Sequence, residues 1–192
     1  MGEIVVTESV TLDGVMQAPG RADEDTRDGF RHGGWAGPYA DPVMMRVMGA
    51  GMAATGAILF GRRTYEDFFA VWHGRTDGNP FTAKLDGTRK YVVSRTMGEP
   101  PVWENTILLK DVPAVQALKK ELDHDIAVLG SGELVRALLA HGLVDRLVLS
   151  VHPLVLGAGR RLFPPDGRPA TFRLAESVPT GTGVVIATYE VE

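Results

Sequence analysis

Short apolar runs and helical stripes alternate along this chain. Residues 3–10 (EIVVTESV) have the β-branched content of a strand, and TLDG closes it with turn chemistry. Residues 14–40 are rich in glycine and polar groups and read as one long loop, the kind often kept for function. Asp41 and Pro42 then suit the N-cap and first position of a helix over 41–54. Met44, Val47, Met48 and Met52 recur on one side of that helix and are expected to pack into the core. Residues 55–60 form a short apolar strand. A helix from Thr64 to about Val71 follows, with Thr64 and Asp67 spaced as a capping box. HGRTDGNP reads as loop, and KYVVSR (90–95) and TILL (106–109) as strands. In the amphipathic helix 112–122, Val115, Leu118 and Leu122 share a face, with Lys119 and Lys120 outside. IAVLG (126–130) is another buried strand, and Glu133–Ala140 a helix closed by Gly142. LVDRLVLSVHPLVLG starts as a strand that breaks near Pro153. Two further strands, about 171–178 and 183–191, flank PTGTG as an antiparallel hairpin.

Strand–helix alternation predicts an α/β fold with a largely parallel sheet, helices on both faces, and the hairpin added at one edge. The length of 192 residues fits a single domain, and 44% hydrophobic content can fill its core. A net charge of -4 without an extended run of like charge argues against nucleic acid or an anionic membrane as partner. Having no cysteine excludes disulfides, thiolate metal sites and a cysteine nucleophile. The five histidines show no metal-ligand spacing. The opening MGEIVVTES lacks a basic n-region and no apolar run suits a membrane span, so a cytoplasmic protein is expected.

Three strand ends carry candidate chemistry: GRRT at 61–64, SRT at 94–96 and GSGE at 130–133. If the strands are parallel, all three lie on one sheet edge, where such sheets bind ligands. Glycine permits close backbone approach, helix N-termini present N–H groups, and arginine adds bidentate contacts to phosphate oxygens. Together they describe a cradle for a multiply phosphorylated ligand. The alternative is that the glycines only let helices start close to strands, with the arginines solvated. Standard motifs are absent: GSGELV and GAGRRL lack the third glycine of a dinucleotide fingerprint, and G-S-G is not a nucleophile elbow.

SVTLDGV, LFGRRTYE, YVVSRT, LGSGELVRALLAHGLVDRL and HPLVLGAGRRLF together resemble the dihydrofolate-reductase-like superfamily, most of all the reductase domain of riboflavin biosynthesis and its stand-alone bacterial relatives. The resemblance implies a mixed sheet of about eight strands and NADPH as hydride donor. Carried over by position, Gly61, Arg62 and Thr64 hold cofactor phosphates, and Ser94 and Arg95 lie near the adenosine ribose and its 2′-phosphate. Gly130, Ser131 and Gly132, with Glu133, Leu134 and Val135, meet the pyrophosphate and the nicotinamide side. Asp13 and Gly14 fall where the first strand meets the active-site loop. The implied substrate is a small heterocycle or a carbonyl or imine compound, with a 5-amino-6-(5-phosphoribosylamino)uracil-like molecule as candidate. Folate reduction fits poorly, because Met44, Met45 and Met48 stand in the helix where folate reductases carry a pterin-binding carboxylate.

Reduction of a C=N or C=O group also needs a proton. Asp13 is the acid placed to give it, unless it merely stabilises the turn before Gly14. Trp35, Tyr65 and Trp72, with Phe30 and Tyr39, are candidates to wall a planar substrate. The loop 14–40 is a candidate lid. A catalytically silent dinucleotide-binding or sensor protein of the same fold is the second reading. The resemblance and the apolar C-terminal strands also imply a homodimer.

Overall fold

A computed structural model describes residues 2–100, 102–163, 167 and 169–192. Its eight strands are β1 (Ile4–Thr11), β2 (Ala57–Gly61), β3 (Arg89–Val93), β4 (Thr106–Leu109), β5 (Ile126–Leu129), β6 (Arg146–His152), β7 (Phe172–Pro179) and β8 (Val185–Val191). Five α-helices occur among the described residues: α1 (Pro42–Ala54), α2 (Arg62–Trp72), α3 (Pro80–Gly87), α4 (Val112–Glu121) and α5 (Gly132–Ala140). The strands form one sheet in the order β4-β3-β2-β5-β1-β6-β8-β7. Pairings β3–β4, β2–β3 and β2–β5 are parallel, whereas β6–β8 and β7–β8 are antiparallel. The predicted mixed sheet with its terminal hairpin is therefore the observed one.

The chain packs as two compact units. The first comprises the residues through Val6 and Met48–Val144; the second comprises Thr7–Val47 and Asp145–Glu192.

In the first unit, Ala57, Ile58, Leu59 and Phe60 of β2 are all buried, as expected for a parallel strand with neighbours on both sides. Ile58, Phe60, Tyr65, Leu85, Val92, Met97 and Trp103 form its aromatic-rich core. Tyr65 belongs wholly to that core: its ring is fully buried and its hydroxyl donates to Thr106 Oγ1. This corrects the expectation that Tyr65 walls a substrate, because a ring fully buried among Ile58, Phe60 and Trp103 leaves no surface for one. Helix α3 follows the expected loop, over residues to which no element was assigned: Asn79 Oδ1 accepts from the Phe81 N–H, and Pro80 occupies the first turn. Lys90 is buried with its Nζ donating to the carbonyls of Leu85, Asp86 and Thr88, so it caps the C-terminal end of α3. Lys119, expected outside, is also buried and donates to the Leu143 carbonyl. Its long apolar stem allows that placement once the ammonium finds a carbonyl.

In the second unit, the loop after β1 holds two short 3-10 turns, Arg27–Gly29 and Gly37–Tyr39. Val15, Ala18, Phe30 and Trp35 form a separate small core inside it. Trp35 Nε1 donates to the Gln17 carbonyl, so this aromatic anchors the loop instead of facing a ligand. Asp41 caps α1 as expected, accepting from the N–H groups of Val43 and Met44. The stripe of α1 is half-buried, with no residue of the helix fully buried; Met52 packs against the core of the first unit as expected.

Candidate functional site

Three adjacent strands of the first unit, β3, β2 and β5, run parallel, so their C-terminal ends share one edge. GRRT, SRT and GSGE follow those ends, as the sequence spacing required. The Gly61 N–H donates to Ser131 Oγ at 2.8 Å, tying the end of β2 to the end of β5. A Cβ at Gly130 would lie 3.3 Å from Thr64 Cγ2, and one at Gly61 would lie 3.4 Å from Ser131. Gly61, Thr64, Gly130 and Ser131 are thus brought together, and the glycines sit where the two turns approach most closely. Gly130 and Ser131 both have positive φ, 59° and 68°. For Ser131 that conformation costs on the order of 1 kcal/mol, and strain of this kind concentrates at binding sites.

Helix N-termini differ in one telling respect. Asp41, Asn79 and Asp111 cap α1, α3 and α4 with their own side chains. Helices α2 and α5 begin at Gly61 and Ser131 without a side-chain cap. Thr64 therefore does not cap α2 as a box with Asp67; it lies within the first turn, because the Gly61–Ser131 bond fixes the helix start earlier. Two uncapped, positively polarised helix ends stand at neighbouring strand ends, an arrangement that attracts anions.

The cations are arranged loosely around this edge. Arg62 approaches Glu66 of its own helix at 4.0 Å, whereas Arg63 reaches Glu133 of α5 at 3.9 Å. Both pairs are exposed and add little stability. Ser94 is buried, and its Oγ accepts from the Thr96 and Met97 N–H groups, shaping the turn that presents exposed Arg95. Gly132 and Leu134 are buried in the first turn of α5, and Glu133 is exposed there. Val135 is corrected as a contact residue: its side chain is fully buried and its N–H bonds to the Ser131 carbonyl. Trp72 is half-buried, packed edge-on against Phe81 beneath the Arg75 guanidinium.

The second unit places Asp13 differently from its expected role as proton donor. Its Oδ1 accepts from Thr11 Oγ1 at 2.6 Å and from the Leu156 N–H at 3.2 Å; its Oδ2 accepts from the Gly157 N–H at 2.9 Å. Arg161 lies 3.5 Å away. The Thr11 hydrogen bond leads the effects that hold its carboxyl down at about 2. A carboxylate so fully supplied with donors is a clamp between loops and a poor acid.

Sequence reasoning missed Glu8. It lies on the inward side of β1 between Val6 and Val10, and is itself buried. Its Oε1 has no hydrogen-bond partner among the described residues. Burial, and secondly the charge of Glu24, push its carboxyl up to about 8. The signal was present as an acid at an apolar position of an alternating strand. His152, also missed, is buried with Trp35 and Tyr39 edge-on to its ring at 5.0 and 5.4 Å. Its Nδ1 lies 2.9 Å from the Ser150 carbonyl, and burial lowers its proton affinity.

Residues 3–186 match the family model of the RibD C-terminal domain. The chain belongs to the RibD C-terminal domain family. Protein YyaP of Bacillus subtilis (strain 168) is 31% identical over 139 residues, which cover 69% of this chain and 72% of that one. Among solved structures, this RibD C-terminal domain resembles a pyrimidine reductase-like protein from Corynebacterium diphtheriae, with a TM-score of 0.63 and 14% identity over 100% of this chain and 92% of that one. It also resembles dihydrofolate reductase from Enterococcus faecalis, solved in complex with NADP(H), with a TM-score of 0.65 and 13% identity over 100% of this chain and 97% of that one. The fold is thus dihydrofolate-reductase-like, a reductase-type architecture, in a RibD C-terminal domain. Among the described residues no helix is long and apolar enough to cross a membrane.

Proposed function

We propose that this RibD C-terminal domain is an NADPH-dependent reductase that delivers a hydride to a small heterocyclic, imine or carbonyl substrate. A molecule like 5-amino-6-(5-phosphoribosylamino)uracil is the first candidate. The observation that carries the reading is the pair of uncapped helix N-termini at the joined ends of β2 and β5, with glycine at both turns. These features fit a pyrophosphate, which needs convergent N–H donors and no intruding side chain. Arg62 and Thr64 stand at one end of this cradle; Arg95, presented by the Ser94 turn, is assigned to the 2′-phosphate that distinguishes NADPH from NADH. NADPH, when bound, supplies the hydride. The protein's part is to orient it, exclude water and furnish a proton.

Asp13 suits that role poorly, because the Thr11 hydroxyl and its backbone donors hold its carboxyl down at about 2.

The test is a fluorescence titration with NADPH and NADH, followed by NADPH oxidation with pterin, pyrimidine and flavin-precursor substrates. Tight NADPH binding, with discrimination against NADH that falls in Arg95→Ala, is expected. An unchanged preference in Arg95→Ala removes Arg95 from the assignment. Binding without turnover on any substrate leaves a dinucleotide-binding or sensor protein.

A further inference from the structure

The second unit contains a cavity of about 280 Å³ lined by the loop around Arg27–His32 and by Ala158–Arg160. Neither the strand-end cradle nor Glu8 contributes to its lining. Its walls are built, not incidental. Gln17 is 3% exposed, and its whole amide is engaged: Nε2 donates to the carbonyls of Asp25 and Arg27, while Oε1 accepts from the Arg160 N–H. One buried side chain thereby fixes both walls. At the back, Gly159 has φ +115°, and a Cβ there would meet Phe30 at 2.6 Å and Val15 at 2.8 Å, so the wall closes directly on an aromatic ring.

Three arginines line this space, Arg27, Arg31 and Arg160, with a single acidic residue, Asp28. Carboxylates hold two of the three in place. Asp25 takes both Nε and Nη2 of Arg27, and Asp28 Oδ2 accepts from Arg160 Nη2 at 2.9 Å. Arg31 is exposed and makes no ion pair among the described residues, so its charge is the surplus. His32 stands beside it, edge-on to Phe30 at 5.6 Å. Arg27 and Arg160 are paired with carboxylates, so the surplus charge at this closed-backed cavity is that of Arg31, whose fork can pair bidentately with a small oxyanion.

We propose that this cavity binds the anionic end, phosphate or carboxylate, of a compact small molecule, with Arg31 as the closing contact. The site stands whether or not the first unit holds a dinucleotide.

The experiment follows the His32 imidazole protons of the full chain by NMR at constant pH. Inorganic phosphate and succinate are titrated separately, each against chloride at matched ionic strength. His32→Gln identifies the reporting signal. A saturable shift is expected in the wild type, and equally in Arg62→Ala/Arg95→Ala, which removes the cations of the other candidate phosphate site. Arg31→Ala, a surface change that leaves the Gln17 frame intact, should weaken saturation roughly tenfold, the loss of one charge-assisted pair. Arg31→Lys should recover part of it. The anion that saturates at lower concentration identifies the group as phosphate or carboxylate. No shift with either anion, the same shift with chloride, or unchanged saturation in Arg31→Ala overturns the proposal, and loss of the shift in Arg62→Ala/Arg95→Ala reassigns the binding to the first unit.

Discussion

Glu8 and Lys90 are both buried ionisable groups, yet they bend stability in different pH windows. The folded Glu8 carboxyl titrates near 8 against 4.5 for its ordinary value, so the folded chain binds the extra proton between those limits. Stability is then fully present below about 4.5 and is lost as pH rises through 8, by on the order of a few kcal/mol. Lys90 is lowered to about 8 from 10.5, mainly by burial, so the unfolded chain binds the extra proton there, and stability rises with pH from 8 to 10.5. Urea midpoints measured from pH 6.5 to 8, above the window in which His152 titrates, should fall in the wild type and stay nearly flat in Glu8→Gln. Strand alternation made the inward position of Glu8 readable in the sequence. Its retained proton was not, because that depends on burial and on Glu24, which the following loop brings within electrostatic reach. Asp13 misled for the mirror-image reason: TLDG showed the acid, but its donors come from Leu156 and Gly157, far along the chain.

Helices α2 and α5 show how tertiary contacts reset what local spacing suggests. Thr64 and Asp67 have capping-box spacing, yet α2 starts at Arg62 because Ser131 holds the Gly61 N–H. The strand ends and glycines of the candidate cradle were legible, since each follows an apolar run; the tie between them was not. Helix α3 was missed although Asn79-Pro80 is a good helix start, because eight residues ending in glycine carry too little periodicity to outweigh a turn-rich stretch. The uncapped ends give a direct prediction. Gly61 has φ -76°, which any residue adopts, and a Cβ there makes only ordinary contact with Ser131. In Gly61→Asp the new carboxylate can cap α2 and complement its dipole, leaving thermal stability equal or higher. It also fills the place assigned to phosphate, so NADPH binding should weaken by about tenfold or more. Calorimetry together with fluorescence titration checks both halves. A variant that binds NADPH as tightly as the wild type would show that phosphate lies elsewhere.

For the whole molecule, the pattern of apolar runs yielded the parallel strands and the terminal hairpin because each obeys local periodicity, while the sheet order depends on long-range pairing that no local pattern encodes. The hairpin bears on assembly. Strand β7 is the last in the sheet, and most of its residues are exposed on both faces. Register pairs Phe172 with Val191, Leu174 with Tyr189 and Pro179 with Val185. Paired residues share a face and alternate positions repeat it, so Leu174, Val185 and Val191 lie on one side of the hairpin. They are 51%, 41% and 36% exposed, a grouped apolar surface that isolated surface residues would not make. A second copy of this chain is the proposed cover, by its face more than by its edge, because the irregularity between Leu174 and Glu176 and the terminal Pro179 both disfavour continuous strand pairing. Light scattering at micromolar concentration should give a dimer mass for the wild type. Leu174→Lys, an exposed substitution with little effect on the folded unit, should shift the equilibrium toward monomer and leave NADPH binding unchanged. A wild-type monomer at that concentration, or a Leu174→Lys dimer of undiminished strength, would rule out this face as the contact.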